Sequence, residues 1–78
     1  MNTEEKVISI IRENTEAATD VSLGTDLRRE LRLDSFGTLM LINAMEETFG
    51  ISMEDTDFTG LKTVADVVQL LRSKYHCA

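Results

Sequence analysis

Proline and tryptophan are absent from this 78-residue chain, which has only four glycines, one tyrosine and one cysteine. A fold of many short strands needs turn residues and aromatic side chains, so their scarcity predicts an all-α fold. A single thiol, that of Cys77, cannot form an intramolecular disulfide, which fits a reducing compartment and predicts a cytoplasmic location. With 42% hydrophobic residues, the composition suffices for one small core, and residues 1–78 are predicted to form one domain.

The chain also lacks long apolar runs, and one of its segments lacks positive charge. No signal-peptide pattern and no apolar stretch of membrane-spanning length occurs, so no membrane insertion is expected. The net charge is −6, and the segment from Asp34 to Leu61 contains no lysine or arginine. Its acids are Asp34, Glu46, Glu47, Glu54, Asp55 and Asp57. This acidic segment argues against nucleic acid and for basic partners, although a face that only keeps the protein soluble is an equal alternative.

Apolar spacing predicts three long helices and one short one. The first helix is predicted at residues 2–14, which begin with a capping asparagine. The second is predicted at residues 35–49, which end before Gly50 and place on one face Leu39, Ile42, Met45 and Phe49. The last begins with a Thr63–Asp66 capping box and extends to about residue 74. A short helix is expected within 53–59, ended by Gly60, and "KYHCA" as a frayed tail. The prediction is a small four-helix bundle.

The connection between the first two helices, from Thr15 to Leu33, is unusually long for a small domain. It contains four isolated apolar residues that can pin it onto the core, with a helical turn possible at 26–31. These residues are Val21, Leu23, Leu27 and Leu31.

The stretch "RLDSFGT" at residues 32–38 places Ser35 in the first turn of the second helix. A hydrolase nucleophile elbow would need glycine where Leu33 stands, a preceding strand and a histidine within reach, whereas His76 lies near the chain end. Covalent modification remains, because Asp34 is a good helix cap and the helix N-terminus favours an attached phosphate. A serine that only assists the cap is the alternative.

Two metal sites are considered and set aside. The segment from Asp55 to Asp66 matches part of a calcium-binding EF-hand loop, but Thr59, Lys62 and the short final aspartate depart from that pattern. His76 and Cys77 are adjacent, but two ligands near a chain end do not make a metal site. No metal is therefore predicted.

The stretches "LDSFGTLMLINAMEETFGISM" and "LKTVADVVQLL" together resemble the acyl carrier proteins and their relatives, the peptidyl and D-alanyl carriers. The resemblance covers nearly the whole chain, and its central signature is Asp34, Ser35 and Phe36 at a helix start. It implies that Ser35 carries 4′-phosphopantetheine, attached from coenzyme A by a phosphopantetheinyl transferase. The protein would then hold acyl groups as thioesters and would not itself be an enzyme.

The same resemblance implies partners, namely acyl-loading and acyl-processing enzymes of fatty-acid, polyketide or related pathways, and a monomeric carrier. Asp34, Phe36, Met40, Glu46 and Glu47 are the predicted partner-binding residues. On a helical wheel Phe36, Met40, Asn43 and Glu47 share a stripe roughly opposite the predicted core face.

Several positions depart from the common family pattern. Gly37 and Met40 are neutral where many relatives have acids, and Arg28, Arg29 and Arg32 stand where fatty-acid carriers more often have acids and a glycine. The run of "LDS", a large apolar residue and "GT" is also similar to the D-alanyl carriers, so an aminoacyl carrier of D-alanyl or peptidyl type stays open. So does an unmodified helical module that binds a partner through Phe36 and Met40.

Overall fold

The computed structural model describes residues 2–15 and 20–77. Three α-helices, α1 (Thr3–Asn14), α2 (Ser35–Phe49) and α3 (Val64–Ser73), are accompanied by one 3₁₀ helix (Asp55–Phe58) between α2 and α3. Helix α1 packs against both α2 and α3, and the 3₁₀ helix packs against α2. The predicted bundle of three long helices and one short one is confirmed.

The helix ends follow from local chemistry. Asn2 caps α1 by accepting the Glu5 N–H at 2.8 Å, and Gly50 ends α2 with a left-handed φ of 66° that glycine adopts without a Cβ clash. The predicted capping box of α3 is present, with the Thr63 and Asp66 side chains each accepting the other's backbone N–H. Boundaries set by such neighbouring residues could be predicted from the sequence alone.

The core face of α2 differs from the predicted one. Leu41 is fully buried and Leu39 is 46% exposed, so the face is centred on Leu41, Ile42 and Met45. The assignment of Leu39 to the core was wrong, while Ile42 and Met45 were correct and Phe49 lies half-buried at the edge. The core also takes Val7, Ile10 and Ile11 from α1, and Val64, Val67, Val68 and Leu71 from α3.

The long connection is held on the core by apolar anchors, as predicted. Val21, Leu27 and Leu31 are buried and Leu23 is partly buried, while residues 16–19 lie outside the described part. A helical turn does form at 26–31, since the Glu30 N–H donates to the Asp26 carbonyl at 3.1 Å. The connection also bonds to the start of α3, where the Leu27 N–H donates to the Lys62 carbonyl at 2.8 Å.

Residues 74–77 are not a frayed tail, so that prediction was wrong for them, while Ala78 lies outside the described residues. Tyr75 packs on the core and its hydroxyl donates a hydrogen bond to Asp57 of the 3₁₀ helix. Lys74 Nζ lies 2.6 Å from Asp57 Oδ1 and 3.2 Å from Glu54 Oε2. These contacts tie the chain end to the 3₁₀ helix across 17 and more residues of sequence, a distance at which no local pattern signals them.

Asp57 makes the stability of this junction depend on pH. Burial alone would raise the pKa of Asp57, but hydrogen bonds from Lys74, Tyr75 and the Glu54 N–H outweigh it and hold the pKa below 3.8. A group with a depressed folded-state pKa stabilises the fold above its unfolded pKa and loses that contribution as pH falls. We expect the melting temperature to decrease as the pH is lowered below about 4. In Asp57→Asn this decrease should be smaller than in the wild type.

The measurement is thermal denaturation followed by circular dichroism across the acidic range. Asp20→Asn, at an exposed position of the connection, is the control. If the melting temperatures of the wild type and Asp57→Asn decreased in parallel at acidic pH, the Asp57 carboxylate would not be a source of the pH dependence.

No helix within residues 2–15 and 20–77 is both long enough and apolar enough to cross a membrane.

Candidate functional site

Ser35 is the first residue of α2 and is exposed. The preceding residue, Asp34, has extended backbone angles and its Oδ1 accepts the Gly37 N–H at 2.7 Å, so Asp34 is the N-cap that the sequence predicts. Because the Asp34 carboxylate makes the side-chain cap bond, the cap does not need the Ser35 hydroxyl. The hydroxyl therefore stands at a helix N-terminus, where the positive end of the helix dipole favours a bound phosphate.

Gly37 keeps this turn tight. A Cβ at this position would lie 3.2 Å from Leu33 Cδ2 and 3.3 Å from Asp34 Oδ1, closer than most real Cβ contacts. Glycine thus leaves room for the Asp34 carboxylate to reach the helix N-terminus. The neutral residue at this position, noted in the sequence, has a packing reason.

Ser35 opens onto a cleft of about 620 Å³ between α2, the connection before it and the segment around the 3₁₀ helix. Its apolar walls are Leu27, Leu33, Leu39, Ile42, Phe58 and Leu61, and polar side chains including Asp34, Thr38 and Thr59 also line it. The cleft reaches the core, because Ile42 and Phe58 are buried. The cleft also explains why Leu39 is partly exposed, since Leu39 lines the cleft and does not lie in the centre of the core.

The predicted outer stripe of α2 is solvent-exposed. Phe36 is 72% and Met40 40% exposed, and Asn43 and Glu47 are exposed on the same stripe. Large apolar side chains at this exposure are informative when they are contiguous, because such patches mark interaction sites. The stripe begins one residue after Ser35.

Glu46, the remaining predicted partner residue, is half-buried. Its Oε2 accepts the Met53 N–H at 2.8 Å, which secures the turn after α2. The carboxylate therefore has a structural contact in the free protein, a role that the sequence reasoning missed. Its acceptor function across a seven-residue separation carries no local sequence signal.

Two acids of the partial EF-hand segment, Asp57 and Asp66, are engaged by the protein itself. Asp57 binds Lys74 and Tyr75, and Asp66 Oδ2 accepts the Lys62 and Thr63 N–H groups at 2.9 and 3.1 Å. Among the residues that the structure describes, no group of three or more His, Cys, Asp or Glu side chains is placed to hold a metal.

An exposed serine at a capped helix N-terminus, beside an apolar cleft, defines a site suited to a covalently attached group with an apolar cargo. Comparison with known proteins agrees. Residues 5–71 match the family described as "Phosphopantetheine attachment site", and the chain therefore belongs to that family.

Curated relatives carry the name "Acyl carrier protein". The protein of Rickettsia bellii strain OSU 85-389 is 33% identical over 72 residues, which cover 91% of this chain and 89% of the relative. That of Rickettsia canadensis strain McKiel is 34% identical over 73 residues, covering 91% and 84%. That of Rickettsia bellii strain RML369-C is 32% identical over 72 residues, also covering 91% and 84%.

Family membership implies a phosphopantetheine carrier with a covalently attached 4′-phosphopantetheine group, served by transferases and biosynthetic enzymes. The residues present fit such a group. Ser35 is exposed, its hydroxyl is not needed by the helix cap, and the adjoining cleft has apolar walls.

Proposed function

We propose that Ser35 is the attachment residue for 4′-phosphopantetheine and that the protein delivers acyl thioesters to fatty-acid, polyketide or related biosynthetic enzymes. The observation that carries this proposal is the position of Ser35, exposed at the first turn of α2 and lining the apolar cleft. The arm supplies the thiol that holds the acyl group, and its flexibility raises the effective concentration of cargo at each enzyme.

The chain's own residues have three tasks in this proposal. Ser35 Oγ provides the covalent link, Asp34 holds the first turn in place through Gly37, and the cleft walls offer apolar cover for a short acyl chain. Met45 and Met53 lie in the core, and methionine side chains are flexible enough to adapt their packing. None of these tasks is bond-making chemistry on the cargo, so we infer a carrier without catalytic activity of its own.

The test of this function is incubation of the purified protein with coenzyme A and a promiscuous phosphopantetheinyl transferase. We expect intact-mass analysis to show a gain of one phosphopantetheine per chain. A protein that stays at its original mass under conditions that convert a known carrier would contradict the proposal, and would favour the unmodified interaction module.

The cargo class is tested in the same system. Loading with acyl, D-alanyl and other aminoacyl forms of coenzyme A, followed by transfer to candidate enzymes, separates an acyl from an aminoacyl carrier. We infer an acyl carrier because apolar side chains, among them Leu39, Ile42 and Phe58, line the cleft beside Ser35, and because the curated relatives bear the name "Acyl carrier protein". The same proposal includes a monomeric, cytoplasmic protein with residues 1–78 as one domain.

We further propose that Asp34, Phe36, Met40, Glu46 and Glu47 contact partner enzymes, with Met40 entering an apolar pocket. Met40 is exposed on the outer stripe of α2, at a position where many relatives have an acid. We expect Met40→Glu to change the free energy of unfolding by no more than about 0.5 kcal/mol. It should weaken the native partner and improve handling by enzymes adapted to acidic fatty-acid carriers.

Asn43→Glu is the matched control, because it adds the same charge on the same exposed stripe and leaves Met40 in place. Thermal denaturation and partner kinetics are measured for both variants. A large loss of stability in Met40→Glu would mean that Met40 belongs to the core, and would contradict its proposed contact with a partner enzyme. Equal kinetic effects of both variants would assign the change to charge alone.

A further inference from the structure

The Ser35 cleft contains a cation that its apolar walls do not explain. Among the described residues that line it, Arg28 alone carries a positive charge, while Asp34 carries a negative one. Arg28 also borders a second hollow of about 440 Å³ with Arg29 and Lys62, so its side chain lies at the ridge between the two. Arg29 and Lys62 line only the second hollow.

The backbone holds Arg28 close to Ser35. The Leu33 N–H donates to the Leu27 carbonyl at 3.2 Å, which closes the loop between residue 28 and the start of α2. The Asp26 carboxylate accepts the Arg28 N–H at 2.9 Å, and Leu27 is buried. The main chain at Arg28 is therefore fixed on both sides, in the wall of the same cleft that Ser35 lines.

Arg28 differs from its basic neighbours in what faces it. The pKa of Asp26 is lowered, first by hydrogen bonds from the Arg29 and Arg28 N–H groups and then by the nearby charges of Arg29 and Lys62. Asp26 thus partly balances those two side chains. Among the carboxylates that the structure describes in residues 2–15, 20–54 and 56–77, none lies within 4.0 Å of the Arg28 guanidinium.

The geometry points to Arg28 as the binding partner of the phosphodiester that links the prosthetic group to Ser35. This inference rests on the proposed attachment at Ser35 and adds a positioning residue to it. A guanidinium presents a fork of donors that matches phosphate oxygens, and such charge-assisted bonds are short and strong. Arg28 would hold the first part of the arm at the entrance of the cleft and bias its apolar cargo towards the walls.

The test compares the wild type with Arg28→Gln and with Arg29→Gln, the matched control that removes an equal charge outside the Ser35 cleft. All three are loaded from coenzyme A and verified by intact mass. We expect the ³¹P resonance of the phosphodiester to shift in Arg28→Gln and to stay at the wild-type position in Arg29→Gln. At about 1 M NaCl, where screening acts over about 3 Å, the wild-type resonance should move towards that of Arg28→Gln.

A second measurement uses the wild-type chain alone, so it does not depend on how a variant folds. The ¹⁵N–¹H signal of the Arg28 side-chain Nε–H should move between the unloaded and loaded protein, and its exchange with water should slow several-fold. The corresponding Arg29 signal should remain in place. Arg28→Lys, which keeps the charge but not the fork, should give an intermediate ³¹P shift.

Failure of this inference is distinguishable from failure of the proposed function. A wild type that gains no mass overturns both. Normal loading with an identical ³¹P signal in all three proteins, or with an unchanged Arg28 Nε–H signal, overturns the role of Arg28 and leaves the carrier function intact. Slower loading of Arg28→Gln without a ³¹P shift assigns Arg28 to transferase recognition instead.

Discussion

Ser35→Ala is expected to gain no mass when it is incubated with coenzyme A and a phosphopantetheinyl transferase, under conditions that convert the wild type completely. The substitution removes the only atom that the proposal assigns to the covalent link, the hydroxyl Oγ. The fold should survive, because the N-cap of α2 is made by Asp34 and the site is exposed. We expect the free energy of unfolding to change by no more than about 0.5 kcal/mol, as for other surface substitutions.

Ser52→Ala is the matched control for this experiment. Ser52 is also exposed, and it lies after α2 instead of at its N-terminus. It should load like the wild type and melt at the same temperature. A Ser35→Ala protein that still gained one phosphopantetheine would place the attachment elsewhere and would overturn the site proposed here.

The candidate site was predictable from the sequence to the extent that it is local. Asp34 caps the turn that follows it, and Ser35 and Phe36 are exposed because they lie on the outer part of a helix whose start the cap fixes. A capping residue signals its helix within three or four positions. The family resemblance of these same residues then gave the chemistry, and the family comparison agrees with it.

The cleft and the C-terminal junction were not predictable, because each joins residues far apart in the sequence. The cleft combines the connection, α2 and the 3₁₀ helix region. The junction brings Tyr75 and Lys74 to Asp57, and nothing in "KYHCA" marks it as a packed segment. Tertiary contacts of this kind depend on how the helices are arranged, which a single sequence does not state.

The prediction of the core face of α2 was wrong for a different reason. Apolar residues occur almost all around this helix, at Phe36, Leu39, Met40, Leu41, Ile42, Met45 and Phe49. A three- and four-residue spacing can therefore be drawn through Leu39 or through Leu41, and periodicity alone does not choose between them. The structure chooses Leu41, and leaves Leu39 on the cleft and Met40 on the outer stripe. The apolar side chains of α2 thus extend beyond the core face, to the cleft and to the outer stripe.

Leu41→Ala is accordingly expected to destabilise the protein strongly, whereas Leu39→Ala should not. Truncating a fully buried leucine loses its transfer free energy and leaves a cavity, at a cost of about 2–5 kcal/mol. A domain of this size has a total stability of roughly 4–12 kcal/mol, so the loss is a large fraction of it. Since each kcal/mol lowers the melting temperature of a small domain by about 4–8 °C, thermal denaturation should show a melting temperature that is at least about 8 °C lower.

Leu39→Ala is the matched control. It removes the same atoms as Leu41→Ala, but from a leucine two positions earlier whose side chain is 46% exposed. Its cost should stay below about 1 kcal/mol, because a half-exposed leucine loses less apolar burial and leaves no enclosed cavity. Denaturant titration of both variants, with comparable slopes, gives the two free energies directly. Equal losses would mean that α2 is rotated relative to the described arrangement, and the cleft beside Ser35 would then have to be rebuilt around a different face of the helix.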